Sequence, residues 1–523
     1  MKKTLYLWLL LCLIFGTACG KDSDTDNNIG GGSGGGNTDE PVKITPDAGI
    51  TLYGYVGDKA GKPIAGAVMT DGFRCAVSSD KGVYQLVRNP RAKYVYISVP
   101  ASYNIPSAGA HFGNFPAFYA PATAVTGSST TPHRVDFTLQ RNTQDDKRFL
   151  LVGIGDPQPD NTEQATRFRN QTVNDINQLL RSETKPIVGV ALGDIIGKGN
   201  AESFTLMKRQ LGAIPFPVYV AIGNHDKSAV DHTGETFRNV MGPTHYSFNR
   251  GQVHFVCMDN IIFGTGDEYV GGFTDEQVAW LEEDLSFVDK SKAVVLYYHI
   301  PLRSNAHYRN YDRVLALVSK YAAVHLLSAH SHYFQPYKIQ KYGLIERVHG
   351  AACGYFWRSA CGGDGAPNGY MVYEFDGTRI VDSYFKGTQR PRDYQIRLYR
   401  GNGSFGGSYA TYQYDLGANV IVANVFAAGM DGSDWKVELY EDGKFSGAMS
   451  KIADSYGDQW IRGYHIGVKH HSTGSGHSPC CHQYSGQLKN PTAQVEVRAT
   501  DSFGHTYTQN VVTASNDFTD AIN

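Results

Sequence analysis

The sequence of 523 residues lacks an excess of charge of either sign. Lysine and arginine together number 48, and aspartate and glutamate number 50, which gives a formal net charge of −2. A chain with this balance offers no basic footprint for nucleic acid, so we predict no nucleic-acid partner. The sequence also lacks a strong internal repeat, which argues against a solenoid architecture.

The chain also has no apolar run long enough to cross a bilayer comfortably. The only candidate, residues 5–15, follows Lys2 and Lys3 and precedes small residues that lead to Cys19. This stretch resembles a bacterial lipoprotein signal, in which residues 1–18 are removed and Cys19 is lipidated. The alternatives are an ordinary cleaved secretory signal and a weak membrane anchor. We therefore expect a protein of the cell envelope that contacts the membrane through its N-terminal lipid alone. The outer membrane is the expected membrane, and exposure at the cell surface is a further possibility.

The length of the chain predicts several domains, because a single hydrophobic core stops growing well before this size. Residues 19–46 are polar and contain a run of glycine and serine, which predicts a flexible tether. Residues 47–141 contain short apolar runs separated by Gly, Asp and Pro, a pattern typical of a small all-β sandwich. Residues 391–523 show the same pattern between glycine-rich turns, and we predict a second all-β sandwich there.

Between these two regions, residues 147–390 alternate strand and helix patterns, which predicts an α/β core. Residues 187–192 form a continuous apolar run typical of a buried strand, and residues 167–180 carry apolar side chains at helical spacing. Thr274 precedes an acidic turn and an apolar face, as expected for a capped helix. From about residue 343 the pattern returns to strands, consistent with a second sheet that closes the core.

Acid, amide and imidazole side chains follow several predicted strands of this core. They are Asp156, Gln158, Asp194, Asn224, His225, Asp226, His299, His330 and His332. The carboxyl ends of strands in an α/β sheet deliver side chains to a shared crevice. Taken singly, each position has an ordinary interpretation, because Asp and Asn are common in turns and a lone histidine is usually structural. Taken together, carboxylates buried beside imidazoles need a neutralising cation, and this set has enough ligands for two divalent ions.

These blocks, in this order, resemble the calcineurin-like metallophosphoesterases. They are Gly-Asp-Pro-Gln, Gly-Asp, Gly-Asn-His-Asp, a histidine after an apolar run, and His-Ser-His, within about residues 148–390. The resemblance implies a core of two mixed β-sheets flanked by helices, an αββα sandwich. The flanking β regions resemble the β-domains found on either side of this core in some bacterial members. It also implies hydrolysis of a phosphate mono- or diester outside the cytoplasm, through a hydroxide that bridges two metal ions.

The resemblance implies a role for each residue. Two sets of three residues would each hold one ion: Asp156, Gln158 and His332 for the first, and Asn224, His299 and His330 for the second. Asp194 would bridge both ions with its carboxylate. His225 would donate a proton to the leaving alkoxide or hold the phosphate oxygens, and Asp226 would orient His225.

Two positions depart from the common pattern of the family. Gln158 stands where many members carry histidine. An amide oxygen is a harder and weaker donor than imidazole, which favours Mn²⁺ at the first ion, with Fe or Zn²⁺ as alternatives. Ala329 stands where glycine usually precedes the first histidine of His-Ser-His. Alanine is small, so we expect little effect there.

Other candidate residues lie outside these blocks. Cys353 and Cys361 flank a loop and are able to pair, but the sequence does not fix their connectivity. Trp357 and Arg358 in that loop are predicted to contact the organic part and the phosphate of a substrate. A further group near the C-terminus matches no zinc spacing, and we interpret it as incidental histidines in a polar loop. An accessory metal site or a substrate-pocket loop is the functional alternative, and the two cysteines form either a vicinal disulfide or free thiols. The members of this group are His465, His470, His471, His477, Cys480, Cys481 and His482.

No motif identifies the substrate, which we expect to be a phosphorylated small molecule, a glycan or a lipid. One alternative is a hydrolase that cleaves pyrophosphate bonds in nucleotide- or sugar-linked anhydrides with the same ions. The other is a catalytically inactive surface protein that binds glycan. Intact candidates at every predicted metal position argue against an inactive protein. The sequence does not predict an oligomeric state.

Overall fold

A computed structural model describes residues 42–522, apart from residues 123–131, 304, 306 and 472–477. The predicted signal segment, Cys19 and most of the predicted tether lie outside the described residues, as does His477. Within the described part of the chain, no helix combines the length and the apolar character that a membrane span needs.

The first region of the described chain consists of two small β-sheets. Its strands are β1 Leu52–Asp58, β2 Val68–Thr70, β3 Cys75–Val77, β4 Val83–Leu86, β5 Tyr94–Ser98, β6 Tyr103–Asn104, β7 Tyr119–Pro121, β8 His133–Arg134 and β9 Phe137–Arg141. One sheet has the order β4-β1-β9-β6 with β8 paired to β1, and the other has the order β3-β2-β5-β7. Alternate residues of β1 are buried because one face of the strand packs on the core, as Leu52 and Val56 do.

The central region contains two larger mixed sheets and six α-helices. Its elements are β10 Arg148–Ile154, α1 Thr162–Phe168, α2 Asn174–Leu179, β11 Ile187–Ala191, α3 Ala201–Gly212, β12 Val218–Val220, α4 Glu235–Met241, β13 Tyr246–Arg250, β14 Val253–Cys257, β15 Ile261–Phe263, β16 Tyr269–Gly271, α5 Asp275–Ser286, β17 Ala293–Tyr297, α6 Tyr311–Val318, β18 Ala323–Ser328, β19 Gln335–Ile339, β20 Leu344–Val348, β21 Gly369–Asp376 and β22 Arg379–Gly387. The first sheet has the order β12-β11-β10-β21-β22, and the second has the order β13-β14-β17-β18-β20-β19.

The two larger sheets face each other, and helices cover their outer faces. Alternate residues of β10 show the layering, because Phe149 and Leu151 belong to the inner core whereas Leu150 and Val152 pack with helices α1 to α4. Helices α5 and α6 cover the second sheet in the same way. The predicted αββα sandwich is therefore confirmed.

The last region is again built from strands. Its elements are β23 Ile396–Arg400, β24 Ser404–Gly406, β25 Thr411–Gln413, β26 Val420–Val425, β27 Lys436–Glu441, β28 Lys444–Ala448, β29 Ser450–Lys451, α7 Gln459–Arg462, β30 Gln483–Gln487, β31 Val495–Thr500 and β32 Thr506–Gln509. Two four-stranded sheets have the orders β23-β26-β30-β29 and β28-β27-β31-β32, and β24 pairs with β25.

Short helical turns occur in all three regions. The 3₁₀ turns lie at Ala110–Phe112, Gln340–Tyr342, Asp454–Tyr456 and Thr519–Ala521, and the π-helical turns lie at Arg169–Val173 and Gly463–Val468.

Helix boundaries follow capping where the sequence supplies a cap. The hydroxyl of Thr274 accepts a hydrogen bond from the backbone N–H of Gln277, as predicted for the start of α5. The helix predicted over residues 167–180 begins earlier, at Thr162, because Asn161 caps it. Helix α4 was not predicted, because its N-cap is Gly234 in the left-handed conformation, without a side-chain cap.

Candidate metal centre

The predicted ligands lie just beyond the carboxyl ends of parallel strands in both larger sheets. Asp156, Asp194 and Asn224 follow β10, β11 and β12 of the first sheet, and His299 and His330 follow β17 and β18 of the second. Strands β10, β11 and β12 run parallel to one another, as do β17 and β18. Since the two sheets face each other, side chains from distant parts of the sequence meet between them.

Two groups of side chains at this place present ligand atoms that lie within 4.8 Å of one another. The first group is Asp156, Asp194 and His332, and the second is Asp194, His299 and His330. Asp194 belongs to both groups, which is the position expected of a carboxylate that serves two ions. The structure therefore brings together the five charged or imidazole ligands that the sequence predicted.

The two predicted amide ligands lie beside these groups. Asn224 Oδ1 is 3.0 Å from His299 Nε2, on the side of the second group. Gln158 Nε2 is 3.3 Å from Asp194 Oδ2, an oxygen of the carboxylate that both groups share. All seven predicted ligands are thus in one pocket.

Both ring nitrogens of His299 face hydrogen-bond acceptors. Its Nδ1 is 2.8 Å from the carbonyl oxygen of Leu192, which can only accept, so Nδ1 carries a proton. The other ring nitrogen, Nε2, faces a cluster of polar atoms. That nitrogen lies 3.0 Å from Asn224 Oδ1, 3.2 Å from Asp194 Oδ2 and 3.2 Å from His330 Nδ1. A cation resolves this convergence of lone pairs, and a single proton does not satisfy all three neighbours.

Two further oxygens in the pocket have no hydrogen-bond partner among the described residues. They are Asp156 Oδ1 and Gln158 Oε1, on side chains that are 0% and 3% exposed. An unpaired buried oxygen costs free energy comparable to a lost hydrogen bond. Both oxygens lie on residues predicted to bind the first ion, and metal ligation would satisfy them. The residues present therefore fit a pair of divalent cations.

The charges of the pocket shift the pKa values of its members. Burial raises the pKa of Asp156 well above its usual range. Burial also acts to raise the pKa of Asp194, but the charge of His299 outweighs it and the pKa is lowered. Burial acts to lower the pKa of His299, and Asp194 outweighs it and raises the pKa to about 9. Burial lowers the pKa of His330 to about 3 and that of His332 to about 4, so both rings are neutral and able to ligate.

Five of the seven predicted ligands have a left-handed backbone conformation. The φ angles are 34° at Asp156, 41° at Gln158, 49° at Asp194, 65° at His330 and 59° at His332. Such angles are uncommon for residues other than glycine and are held by the surrounding structure, often at functional sites. Each of these residues follows a strand by a sharp turn, and the turn directs the side chain back into the pocket.

Glycines next to the ligands allow the backbone segments to approach each other closely. A Cβ added at Gly223 would lie 2.0 Å from the backbone nitrogen of Asp194. A Cβ added at Gly193, where φ is 96°, would lie 2.5 Å from His299 Nδ1. No larger residue fits at either place without displacing a predicted ligand.

His225 is exposed at the edge of the pocket, and its partner differs from the one predicted. Its backbone N–H donates to Asp194 Oδ1 at 2.9 Å, and its ring Nδ1 is 3.1 Å from the carbonyl oxygen of Gly197. The carboxylate of Asp226 is buried and accepts from three backbone N–H groups, those of Gly223, Ile195 and Ile196. The carboxylate of Asp226 is thus hydrogen-bonded to the backbone and not to the His225 ring, so an orienting effect on His225 would act through the backbone. Asp226 fixes the two turns that carry Asp194 and His225, and burial raises its pKa to about 7.

Trp357 also differs from its predicted role as a substrate contact. Its side chain is 4% exposed, its Nε1 donates to the carbonyl oxygen of Pro157 at 2.9 Å, and Arg167 stacks on its ring. Trp357 thus supports the turn between Asp156 and Gln158 from beneath. The neighbouring Arg358 is exposed, and its substrate role stays a prediction.

Two aromatic rings at the rim of the pocket were not among the predicted site residues. Phe356 is 39% exposed, and its ring centroid is 4.5 Å from that of His332. Tyr269, on the hairpin of β15 and β16, is 37% exposed, with its ring centroid 6.1 Å from that of His330. Phe356 belongs to the aromatic, glycine-rich loop that also carries Trp357, and the sequence indicated that this loop could line the crevice, whereas Tyr269 lies in a segment without a recognisable motif.

Arg303 is a third residue of interest near the His-Ser-His segment. Its Nη2 donates to Ser331 Oγ at 3.0 Å and to Tyr333 Oη at 2.9 Å. Its guanidinium forms no ion pair with a described carboxylate, and Nε is buried without a partner among the described residues. A cation supported only by neutral hydroxyls remains available to an anion.

The cysteines are free thiols throughout the described chain. Cys353 and Cys361 are not paired with each other, and neither are the adjacent Cys480 and Cys481. Cys353 Sγ lies 3.9 Å from His332 Nδ1, and burial raises its pKa well above the usual range, which keeps the thiol protonated. The pairing of Cys353 with Cys361 and the vicinal disulfide, both left open by the sequence, are therefore not found.

Two histidines of the C-terminal group are buried in hydrogen-bond networks, so they are not incidental residues of a polar loop. His465 Nε2 is 3.0 Å from Ser359 Oγ, and its Nδ1 is 3.1 Å from His471 Nδ1. His482 is fully buried, whereas His470 is exposed and stacks on Tyr409. Among described residues, clusters of three or more potential metal ligands occur at the core pocket and not in this group.

Family models match three successive parts of the chain. Residues 149–334 match calcineurin-like phosphoesterase, residues 50–142 match the N terminal of calcineurin-like phosphoesterase, and residues 346–507 match the C terminal of calcineurin-like phosphoesterase. The first match contains all nine residues predicted to act in metal binding or catalysis.

Two curated relatives match part of the chain. One is the glycerophosphodiester phosphodiesterase GpdQ of Enterobacter lignolyticus, 28% identical over 173 residues, which are 30% of this chain and 60% of the relative. The other is a probable glycerophosphodiester phosphodiesterase GpdQ of Arcobacter nitrofigilis, 25% identical over 150 residues, which are 27% of this chain and 54% of the relative. The chain thus spans little more than half the length of these relatives.

Among solved structures, the chain is similar to a 5′-nucleotidase precursor from Thermus thermophilus. The identity is 10%, the match covers 69% of this chain and 88% of that one, and the TM-score is 0.28. A phosphopantetheinyl hydrolase from Mycobacterium tuberculosis matches at 13% identity, covers 39% of this chain and 91% of its own, and has a TM-score of 0.23.

Proposed function

This chain belongs to the calcineurin-like phosphoesterases, and from that membership we propose that it hydrolyses phosphate esters with two divalent ions. The observation that carries the proposal is that Asp194 is shared by two groups of ligand atoms, each within 4.8 Å. Two such ions, when bound, neutralise the phosphoryl oxygens and lower the pKa of a water to give the attacking hydroxide. Mn²⁺ is the favoured metal, because Gln158 supplies an amide oxygen to the first ion.

The charge of the ligand set suits a phosphate substrate. Asp156 and Asp194 are the only carboxylates among the seven proposed ligands, so two divalent ions would leave the pocket with a net positive charge. Asn224 adds an oxygen ligand without adding a negative charge. An anionic phosphate ester would therefore be attracted to the pocket.

The hydrogen bonds of His225 support a role in proton transfer. A protonated ring would keep Nδ1–H on the carbonyl oxygen of Gly197 and present Nε2–H to the substrate. After Nε2 gives its proton to the leaving oxygen, the neutral ring is the tautomer that Gly197 already stabilises. The bond from the backbone N–H of His225 to Asp194 holds the ring next to the proposed ions throughout.

We propose a phosphodiester as the preferred substrate, and the curated relatives support a diester because they are glycerophosphodiester phosphodiesterases. Phe356 and Tyr269 offer exposed ring faces on the two sides of the pocket, next to His332 and His330, where the organic groups of a diester would lie. We further propose that Arg303, which donates to Ser331 between His330 and His332, holds an anionic oxygen of the same substrate.

The purified full chain, loaded with Mn²⁺, tests this proposal. Bis(p-nitrophenyl) phosphate, p-nitrophenyl phosphate and UDP-glucose represent a diester, a monoester and a pyrophosphate anhydride. We expect two Mn²⁺ per chain by elemental analysis and the highest kcat/KM on the diester. Preference for UDP-glucose would support the anhydride hydrolase instead, and two bound ions without turnover of any phosphate compound would support a binding protein.

We also propose that the enzyme acts in the cell envelope, anchored by a lipid on Cys19. The support is the order of Lys2, Lys3, the apolar segment and the small residues before Cys19, followed by a polar tether. In a Gram-negative host, the unaltered chain should fractionate with membranes, and Cys19→Ala should be recovered from the soluble envelope fraction or remain unprocessed. Equal membrane association of both proteins would contradict a lipid anchor.

A further inference from the structure

The segment that carries the last predicted ligand is fastened by side chains from later in the chain. Phe334, two residues after His332, donates its backbone N–H to Asp364 Oδ2 at 3.0 Å. The carbonyl oxygen of Phe334 lies 3.2 Å from Cys481 Sγ. Both polar backbone groups of Phe334 are therefore held by residues outside the proposed ligand set.

Asp364 is in turn paired with His482, which lies in the last region of the fold. His482 Nε2 is 3.1 Å from Asp364 Oδ2, and the two side chains are 0% and 1% exposed. The other oxygen of Asp364, Oδ1, accepts from the backbone N–H of Ala366 at 3.1 Å. Asp364 is thus fixed between its own loop, the segment after His332, and His482.

The second nitrogen of His482 also faces an acceptor. Nδ1 lies 2.7 Å from Asn424 Oδ1. The amide of Asn424 is fixed in this orientation, because its Nδ2 donates to the carbonyl oxygen of Asp364 and to Asp458 Oδ2, both at 2.8 Å. Both ring nitrogens of His482 therefore face acceptors, and the ring is held between the amide of Asn424 and the carboxylate of Asp364.

We propose that His482 is a positioning residue for the metal centre, acting through Asp364 and Phe334 on His332. His332 has a φ of 59°, a strained conformation that its surroundings must maintain. The buried pair of His482 and Asp364 supplies that restraint from the C-terminal region. The expected effect of His482 on binding of the first ion rests on the proposed function. The expected effect on the conformation of the segment around His332 rests on the hydrogen bonds alone.

Three variants of the full chain test the proposal. His482→Leu removes both hydrogen bonds, and His482→Gln retains one amide donor toward Asp364. Val497→Ala is the control, because Val497 is fully buried in the C-terminal core and lies outside this network, so it lowers stability without touching Asp364. Circular dichroism and melting temperature would establish that each variant is folded, and His482→Leu would be compared with a Val497 variant of similar melting temperature.

Amide hydrogen exchange of the peptide that contains residues 331–336 is the first readout, measured without added metal. We expect faster exchange in His482→Leu, an intermediate rate in His482→Gln, and the unaltered rate in Val497→Ala. Unchanged exchange in His482→Leu, or equal acceleration in Val497→Ala, would overturn the proposal. This readout does not depend on hydrolysis.

Mn²⁺ titration is the second readout. We expect the weaker of two binding steps to weaken further by about 10–100-fold in His482→Leu, the usual effect of removing an outer support of a ligand, while the tighter step is unchanged. Partial recovery in His482→Gln would separate positioning from loss of stability. If the unaltered protein binds no Mn²⁺, the proposed function fails while the exchange measurement still decides the positioning role. If it binds two ions and His482→Leu binds them equally well, the positioning role fails alone.

Discussion

Two regions of this protein bury histidines beside carboxylates and amides, and they satisfy these groups in opposite ways. At the core pocket, His299 Nε2 has three polar neighbours that one proton cannot satisfy together, and Asp156 Oδ1 and Gln158 Oε1 have no partner among the described residues. In the C-terminal region, both nitrogens of His482 face acceptors, and both oxygens of Asp364 are hydrogen-bonded. Residue types and burial are alike in the two places.

The difference lies in the balance of donors and acceptors. A buried polar group that already has its partners gains little from an ion and would lose hydrogen bonds on binding one. A pocket with more lone pairs than protons is stabilised by a cation. This balance, and not the number of histidines, separates a candidate metal centre from a structural network in this molecule.

Asp194→Asn should have the largest effect, because it removes the shared carboxylate from both groups. We expect a loss of kcat/KM of more than about 10⁴-fold, beyond the range for losing one general acid, together with weaker binding of both ions. The matched control is Asp284→Asn. Asp284 is an equally buried carboxylate in the same core, bonded to His254 and Ser247 and outside the pocket. If Asp194→Asn kept two ions and full activity, the core pocket would not be a metal centre built on Asp194, and the difference from the C-terminal network would have no functional meaning.

His225→Ala should be second in size. We expect kcat to fall by about 10²–10⁴-fold with both ions retained, because the ring transfers a proton and does not ligate. His232→Ala, in the same connection and bonded to the carbonyl oxygen of Gly266, should retain activity. Loss of metal in His225→Ala would place the ring among the ligands and contradict its assigned role.

The α/β core and the convergence of side chains at strand ends were predictable from strand patterns, because these report on local structure, whereas the αββα layering and the seven-ligand set were implied by the resemblance to the family. Gly193 and Gly223 were informative for the same reason, since a Cβ at either would collide with the pocket. The left-handed angles at five ligands could not be predicted, because the residues themselves disfavour that conformation and the fold imposes it.

Roles that depend on a partner far away in sequence were not predictable. Trp357 has the size and aromatic character of a substrate contact, but its side chain is buried and its N–H donates to the carbonyl oxygen of Pro157. Asp226 follows His225 directly, yet three backbone donors occupy its carboxylate. The pairing of His482 with Asp364 joins residues more than a hundred positions apart, and no local pattern reports it.

Arg303→Ala should have a smaller effect, expressed in substrate binding. Loss of a charged hydrogen bond of about 1.5–3 kcal/mol corresponds to a rise in KM of about 10–100-fold, with both ions retained. Arg309→Ala is the control, because Arg309 lies in the same connection but is exposed and paired with Asp275. An unchanged KM in Arg303→Ala would show that the pocket binds the substrate through its ions alone.

Removing the metals with a chelator and adding metal back should distinguish the two ions, with differences of a few fold in rate of loss and in restored activity. Because Gln158 contributes an amide oxygen, we expect the first ion to leave earlier under a chelator, and Mn²⁺ to restore more activity than Zn²⁺. Gln158→His should reduce this preference, since imidazole suits Zn²⁺ better than an amide does. Full reactivation of the unaltered protein by Zn²⁺ alone would contradict the assignment of Gln158 as a ligand.

The smallest effect on activity is expected from substitution of His471. This substitution gives the closest test of the difference between the core pocket and the C-terminal network. His471 and His330 are both half-buried, and each places Nδ1 against a nitrogen of a second histidine, at 3.1 Å from His465 and 3.2 Å from His299. The second partner of His465 is the hydroxyl of Ser359, and His465 belongs to no group of potential metal ligands among the described residues. The second histidine in the other pair, His299, also faces the carboxylate of Asp194. His330→Ala should therefore lose one ion and most activity. His471→Ala should keep two ions and activity within about twofold, with a stability change of about 1 kcal/mol or less. If elemental analysis found one ion fewer in His471→Ala, donor and acceptor balance would not separate the two regions, because a histidine pair alone would then be enough to bind metal.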